Sequence, residues 1–353
     1  MKTLIVPMAG KSSRFPNQKP KWMLTHPRTN GFMVVESISG LNLDFFDRIV
    51  FVTLKEHEDK FQFTKGLEIQ LAELGVLEKS KVLYLKNQTK SQSETVYQAI
   101  TEEKIDGFIC VKDSDGKFDV VIEDEENQVC YCDLNSVGKV DAGSKSYIEL
   151  DQGKVVTNIV EKKVISSTFS VGGYCFSSAK NFCNIYDSLK LMDGECYISH
   201  VIYEMILLGE NFYGLESFKF EDYGTSDEWN AFKSKFKTVF VDLDGTLVEN
   251  TGEYLPPYQG EGNLLTNNAE VINKMFDSGF VYVVITTSRP KNSRAKTENE
   301  LIEKGIKYHE MIMGLPHCSR LLINDFASTN LYPSSQAINI PRNSDNLMEF
   351  LNK

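Results

Sequence analysis

Along the first part of the chain, short apolar runs rich in β-branched residues alternate with stretches where apolar positions recur every three or four residues. The runs at residues 3–6, 48–53, 81–85 and 107–111 predict strands, and the longer period of residues 33–41 and 94–101 predicts helices between them. Such alternation predicts a mostly parallel sheet covered by helices. Near residue 233 the pattern restarts, where the charged connector Lys233, Ser234, Lys235, Phe236 and Lys237 leads into a fresh strand at residues 238–241. A helix near 267–278, a strand at 281–286, a helix near 298–304 and strands at 321–323 and 337–340 make a second α/β unit. The expectation is an α/β chain of two Rossmann-like three-layer domains, residues 1–235 and 236–353.

Length agrees with that division, since 353 residues exceed the usual domain of roughly 100 to 200. The net charge of −11, from 49 acidic and 38 basic residues, argues against a nucleic-acid-binding surface, which needs clustered Lys and Arg. It does not exclude a nucleotide, whose phosphates need only a few backbone amides, one or two cations and a metal. The seven cysteines form no CxxC pair and no zinc-type spacing, so they read as free thiols in a reducing cytoplasm. The apolar run at the start is too short for a signal peptide, and no stretch approaches the roughly 20 apolar residues of a membrane span, so membrane insertion is not expected. Oligomeric state is open.

The segment Pro7, Met8, Ala9, Gly10, Lys11, Ser12, Ser13, Arg14 follows the first strand directly, where a loop can wrap phosphates with backbone N–H groups. It is not a P-loop: Gly10, Lys11 and Ser12 mimic the end of GxxxxGK[ST], but the first glycine would fall at Ile5. With Lys19, Pro20, Lys21, Trp22, Met23 and Leu24 shortly after, this loop resembles the signature of the sugar-phosphate nucleotidyltransferase family. The resemblance implies a mixed sheet of the GT-A type. It assigns the nucleotide to Ala9, Gly10, Lys11, Ser12, Ser13, Arg14 and Lys21, and to Ser93, Glu94 and Thr95 beside the base. Arg14 and Lys21 would neutralise charge on the phosphates.

Further along, Asp113 and Asp115 at a strand end resemble the family's metal-binding aspartate, and Asp222, Tyr223, Gly224 and Thr225 resemble its Asp-x-Gly-Thr element with the second ligand. Hard oxygen donors from distant strands suit Mg²⁺. Glu161 and Lys162 resemble the segment that contacts the acceptor, and Gly173 opens a Gly-x-Tyr-x-Phe strand beyond it. The implied reaction is attack by an acceptor phosphate on the α-phosphorus of a nucleoside triphosphate, with pyrophosphate leaving. The nucleophile is already an anion, so positioning and charge neutralisation carry the rate.

In the second half, an apolar strand ends in Asp242, Leu243, Asp244, Gly245 and Thr246, which resembles the first motif of the haloacid-dehalogenase (HAD) superfamily. That resemblance implies Asp242 as nucleophile, Asp244 as acid and base, and Thr287 at the end of the 281–286 strand, with Thr286 the next candidate, as the hydroxyl holding the phosphoryl group. Asp325 would complete a second Mg²⁺ site with Asp242 and Asp244. The sequence departs from the pattern where the third motif supplies a lysine: Gly314, Leu315 and Pro316 stand there. Lys291, Arg289 or Arg320 would have to substitute, or the domain keeps phosphate binding without hydrolysis. Some 40 residues separate the first two motifs, too few for a cap domain, and residues 249–262 read as a mobile loop near the mouth.

Together the resemblances imply a bifunctional cytoplasmic enzyme. One domain would transfer a nucleotidyl group, with CTP the first choice and UTP, GTP and dTTP open, to a phosphorylated sugar or polyol. The other would hydrolyse a phosphomonoester, in synthesis of a capsule or lipopolysaccharide precursor. Two alternatives stand beside it: a non-sugar acceptor such as a phospho-alcohol or phospho-amino-acid derivative with a non-hydrolytic HAD domain, and a catalytically silent nucleotide or phosphometabolite sensor.

Overall fold

The computed structural model describes residues 1–10, 19–137, 141–191, 194–250, 262–326 and 333–351. The chain divides into two compact units, Met1–Lys233 and Ser234–Lys353.

The first unit is built on a nine-stranded mixed sheet. Its strands are β1 (Thr3–Pro7), β2 (Arg48–Leu54), β3 (Ser80–Leu85), β4 (Ile109–Lys112) and, after a separate short strand β5 (Gly116–Asp119), β6 (Gln128–Asp133), β7 (Ser146–Leu150), β8 (Val156–Glu161), β9 (Thr168–Phe176) and β10 (Tyr213–Glu216). A last strand, β11 (Phe218–Asp222), pairs antiparallel with β5. The main order is β10, β6, β9, β4, β1, β2, β3, with β7 and β8 attached beside β9. Strands β4, β1, β2 and β3 run parallel, whereas β9 is antiparallel to both β4 and β6, which makes the sheet mixed.

Every residue of β1 is buried, as a near-continuous apolar run predicts for a strand covered on both faces. Its alternate side chains enter different cores: Leu4 and Val6 pack with Ile49 and Phe51, whereas Ile5 packs with Val50, Val52 and Ile109. The helix Gln92–Glu103 closes the second of these cores with Val96, Ala99 and Ile100. It starts where the Ser91 hydroxyl accepts the Glu94 N–H at 3.1 Å, and stops at Lys104 in the left-handed region.

Among its described residues the second unit has three parallel strands in sequence order, β12 (Lys237–Asp242), β13 (Val281–Thr286) and β14 (Glu310–Ile312), connected through the helices Thr266–Asp277 and Arg294–Glu303. Val241, Val283, Ile285, Leu301 and Met311 form its core. The strands expected at 321–323 and 337–340 are absent; residues 321–326 are exposed and irregular, and the sheet is smaller than expected. A run of three apolar residues is compatible with a strand but does not make one, because a strand exists only where a partner supplies its hydrogen bonds. Most of the 249–262 segment, 251–261, lies outside the described residues. No helix among the described residues is long and apolar enough to cross a membrane.

Candidate active site

At the end of β1 the chain leaves the sheet, and Met8, Ala9 and Gly10 line a cleft of about 770 Å³ in the first unit. The Met8 N–H donates to the Val52 carbonyl at 2.7 Å, so the loop departs from a point tied to β2. Lys11, Ser12, Ser13 and Arg14, the rest of the expected phosphate loop, lie outside the described residues. Lys21 reaches the cleft from a short turn anchored by the buried Trp22 and Met23, with Trp22 edge-on to Phe63 at 4.7 Å between ring centres. An apolar pin thus carries a cation.

Among the carboxylates that line this cleft, three are tied to the turn after β4. Asp113 and Asp115 flank Ser114 in the turn after β4, and Asp222 ends β11, whose antiparallel pairing sets it opposite Gly116 at the far end of that turn. Asp113 is held by its N–H to the Gly172 carbonyl at 2.8 Å and by the Gln92 side-chain amide. Burial, with Asp115 alongside, pushes its carboxyl up to about 6. Asp115 pairs with Lys21 and Asp222 with Lys145, both lysines lining the same cleft.

Among the described residues no three His, Cys, Asp or Glu side chains form a ready metal cluster. Mg²⁺ does not need one, because it is commonly held by one or two carboxylates together with substrate phosphates. The donor set of Asp113, Asp115 and Asp222 fits that ion, because all three are hard oxygen ligands lining one cleft.

In the same cleft, Glu161 closes β8 and accepts hydrogen bonds from the hydroxyls of Ser146 and Ser199, the latter at 2.8 Å. Lys162 follows with a positive φ of 56° and sits 4.3 Å above the Tyr197 ring while bonding its hydroxyl. That bond holds the ammonium above its ordinary range.

Three of the residues expected at the site do not line the cleft. Ser93 is wholly buried and Glu94 receives the Lys90 N–H, so neither lines the cleft, whereas Thr95 does. Residues 92 and 95, three apart, share one helix face, and 93 and 94 turn away from it. Gly173 faces the core, where a Cβ would come within 2.8 Å of Cys130 Sγ and Phe118 Cζ; its neighbour Gly172 lines the cleft, as strand alternation requires. Gln92, Lys145, Ser146, Tyr197 and Ser199 enter the cleft without having been singled out. Lys145 and Asp222 are 77 residues apart, and no local pattern links them.

In the second unit β12 ends at Asp242, and the chain turns through Gly245 at φ +93°, a conformation that suits glycine. Thr287 follows β13 and donates to Asp244 Oδ2 at 3.0 Å. The buried Arg289 forks onto Asp244 Oδ1 at 2.7 and 3.0 Å and reaches Glu300 at 2.5 Å. Arg320 donates to Asp242 at 3.0 Å; burial raises the Asp242 carboxyl and Arg320 opposes that. The stem of Lys291 rests on Gly314, where a Cβ would meet its Cγ at 3.1 Å. Asp325 lies exposed on the irregular 321–326 stretch, and it does not form a three-carboxylate group with Asp242 and Asp244.

No protein-family model matches the chain, and no curated protein matches it. Solved structures do. A nucleoside-diphosphate-sugar pyrophosphorylase from Vibrio cholerae RC9 is 21% identical, with a TM-score of 0.55 over 65% of this chain and 98% of its own. An inositol-1-phosphate CTP transferase from T. maritima is 13% identical, with a TM-score of 0.52 over 66% of this chain and 94% of its own. A UDP-glucose pyrophosphorylase, solved with UDP-glucose, is 15% identical, with a TM-score of 0.51 over 67% of this chain and 99% of its own. The likeness is one of fold. It concerns the N-terminal part, a mixed α/β fold around a central mixed sheet, and does not bear on a HAD-like second domain.

Proposed function

We propose that the first unit is a nucleotidyltransferase: it transfers a nucleotidyl group from a nucleoside triphosphate, CTP in first place, to the phosphate of a small sugar or polyol and releases pyrophosphate. The observation that carries this reading is the convergence of Asp113, Asp115, Asp222, Lys21 and Lys145 on one cleft beside the loop that leaves β1. A fold shared with proteins named for such reactions supports it. Asp113, Asp115 and Asp222 would hold Mg²⁺, which when bound supplies positive charge to the phosphates. Lys21 and Lys145 would then exchange their carboxylate partners for phosphate oxygens, and Lys162 and Glu161 would orient the acceptor. An acceptor phosphate oxygen forms the new P–O bond at the α-phosphorus as the bond to pyrophosphate breaks, and no base is required.

Pyrophosphate release tests this with Mg²⁺, each of CTP, UTP, GTP and dTTP, and a panel of phosphorylated sugars and polyols, on wild type and Lys21→Ala. Release with one pair, lost in the variant, is expected. Silence across the panel with nucleotide binding intact would favour a sensor. Release with a phospho-alcohol or phospho-amino-acid derivative alone would move the acceptor out of the sugars.

For the second unit we infer HAD-type phosphate chemistry, supported by Asp242 at a strand end, Asp244 two residues on, and Thr287 bonded to Asp244. Asp242 would attack phosphorus while Asp244 protonates the leaving alkoxide, and water activated by Asp244 would then release phosphate. One observation favours a binding-only version: Arg289 forks onto Asp244 and Thr287 bonds it as well, so the oxygens a general acid would turn toward the leaving group are already engaged. Hydrolysis of p-nitrophenyl phosphate by wild type and not by Asp242→Asn would support the catalytic form; no hydrolysis with phosphate still bound would leave the binding form.

A further inference from the structure

Lys112, the last residue of β4, is completely buried, although taking an ammonium out of water is costly unless its donors are met. Its Nζ donates to two backbone carbonyls, Asp113 at 2.8 Å and Gly116 at 2.6 Å. These are the two ends of the turn that carries Asp113 and Asp115. The ammonium also lies 4.6 Å from the centre of the Phe118 ring, the same ring that covers Gly173. Gly116 in turn pairs with Asp222 across β5 and β11, and the Tyr223 N–H donates to the Asp115 carbonyl at 2.9 Å. One buried cation therefore fastens the turn against which Asp113, Asp115 and Asp222 are registered.

We propose that Lys112 is a positioning residue of the cleft, closing the Asp113–Gly116 turn so that Asp113 and Asp115 are presented at the angle a divalent cation requires. It acts through the turn and does not touch substrate. The proposal rests on the metal-dependent reading of the first unit. Removing a partner that orients metal ligands typically weakens the metal by about 10- to 100-fold. A charge effect alone has the opposite sign, because two carboxylates relieved of a buried cation would hold the ion more tightly.

The test is Mn²⁺ binding, followed by the paramagnetic resonance of the free ion, on the full chain in an Asp242→Asn background so that the second unit does not contribute. Lys112→Met should remain folded by circular dichroism and bind Mn²⁺ about 10- to 100-fold more weakly. Lys112→Gln, too short to bond both carbonyls, should do the same and serves if the methionine variant does not fold. Affinity unchanged or increased in a folded variant, unfolding of both variants, or absence of Mn²⁺ binding by the parent would each overturn the proposal. Pyrophosphate release by wild type is scored separately: no release with Mn²⁺ binding still dependent on Lys112 would reject the transfer reaction and leave the positioning role standing.

Discussion

Gly172 offers a sharp test of how the cleft is built. Its φ is +85°, and a methyl group there would lie 2.4 Å from Asp113 Oδ2 and 2.8 Å from Asp113 Cβ. Gly172→Ala therefore meets two penalties, a left-handed backbone carrying a side chain and a collision with the carboxylate that the site depends on. The backbone penalty is about 1–3 kcal/mol. For a unit of this size that corresponds to a melting temperature lower by about 3–9 °C. The collision is answered by moving Asp113, and a displacement of about 1 Å at a reacting centre can cost about 10²-fold in rate. Gly214→Ala is the matched control: its methyl would press on Leu150 and Tyr131 at 2.9 Å, away from the cleft, for an overpacking cost of about 1–3 kcal/mol. Pyrophosphate release and thermal melts on both variants separate the effects. If Gly172→Ala keeps wild-type kcat/KM, or if Gly214→Ala loses as much, Asp113 is not the positioned group the cleft implies.

Two further perturbations follow from the same geometry. The Asp113 carboxyl, raised to about 6, binds its proton more tightly in the folded chain than in the unfolded one, so it destabilises the metal-free protein above pH 6, and that penalty disappears as pH falls toward the ordinary carboxylate range. Asp113→Asn in EDTA should accordingly raise stability at pH 8 by about 1–3 kcal/mol and by little at pH 4.5, followed by urea unfolding with the buried Trp22 as reporter; an equal gain at both pH values would refute it. In the second unit Arg289→Met leaves Asp244 and Glu300, 12% and 13% exposed, without their shared cation. Loss of about 3–5 kcal/mol is expected, read as faster amide exchange along β13, and unchanged exchange would show the ion pair to be inert.

Much of the framework is set by local pattern. The apolar runs that become β1, β2 and β13 are long enough, and flanked sharply enough, that burial on both faces follows from composition alone. The pieces at strand ends are legible for the same reason: Asp113 and Asp242 stand where apolar runs stop, whereas Asp222 is marked only by the Gly224 and Thr225 that follow it. Facing is less legible. Ser93 and Glu94 against Gln92 and Thr95, or Gly173 against Gly172, differ by one position, and which face looks into the cleft depends on the register of the whole element against its neighbours. Long-range pairing is not legible at all. Nothing near Lys145 announces Asp222, and the apolar 321–323 run has no strand partner among the described residues. The sequence by itself determined which segments leave water, because hydrophobicity and period are local properties; only the tertiary structure decided which charges meet, because those contacts depend on chain segments brought together by packing.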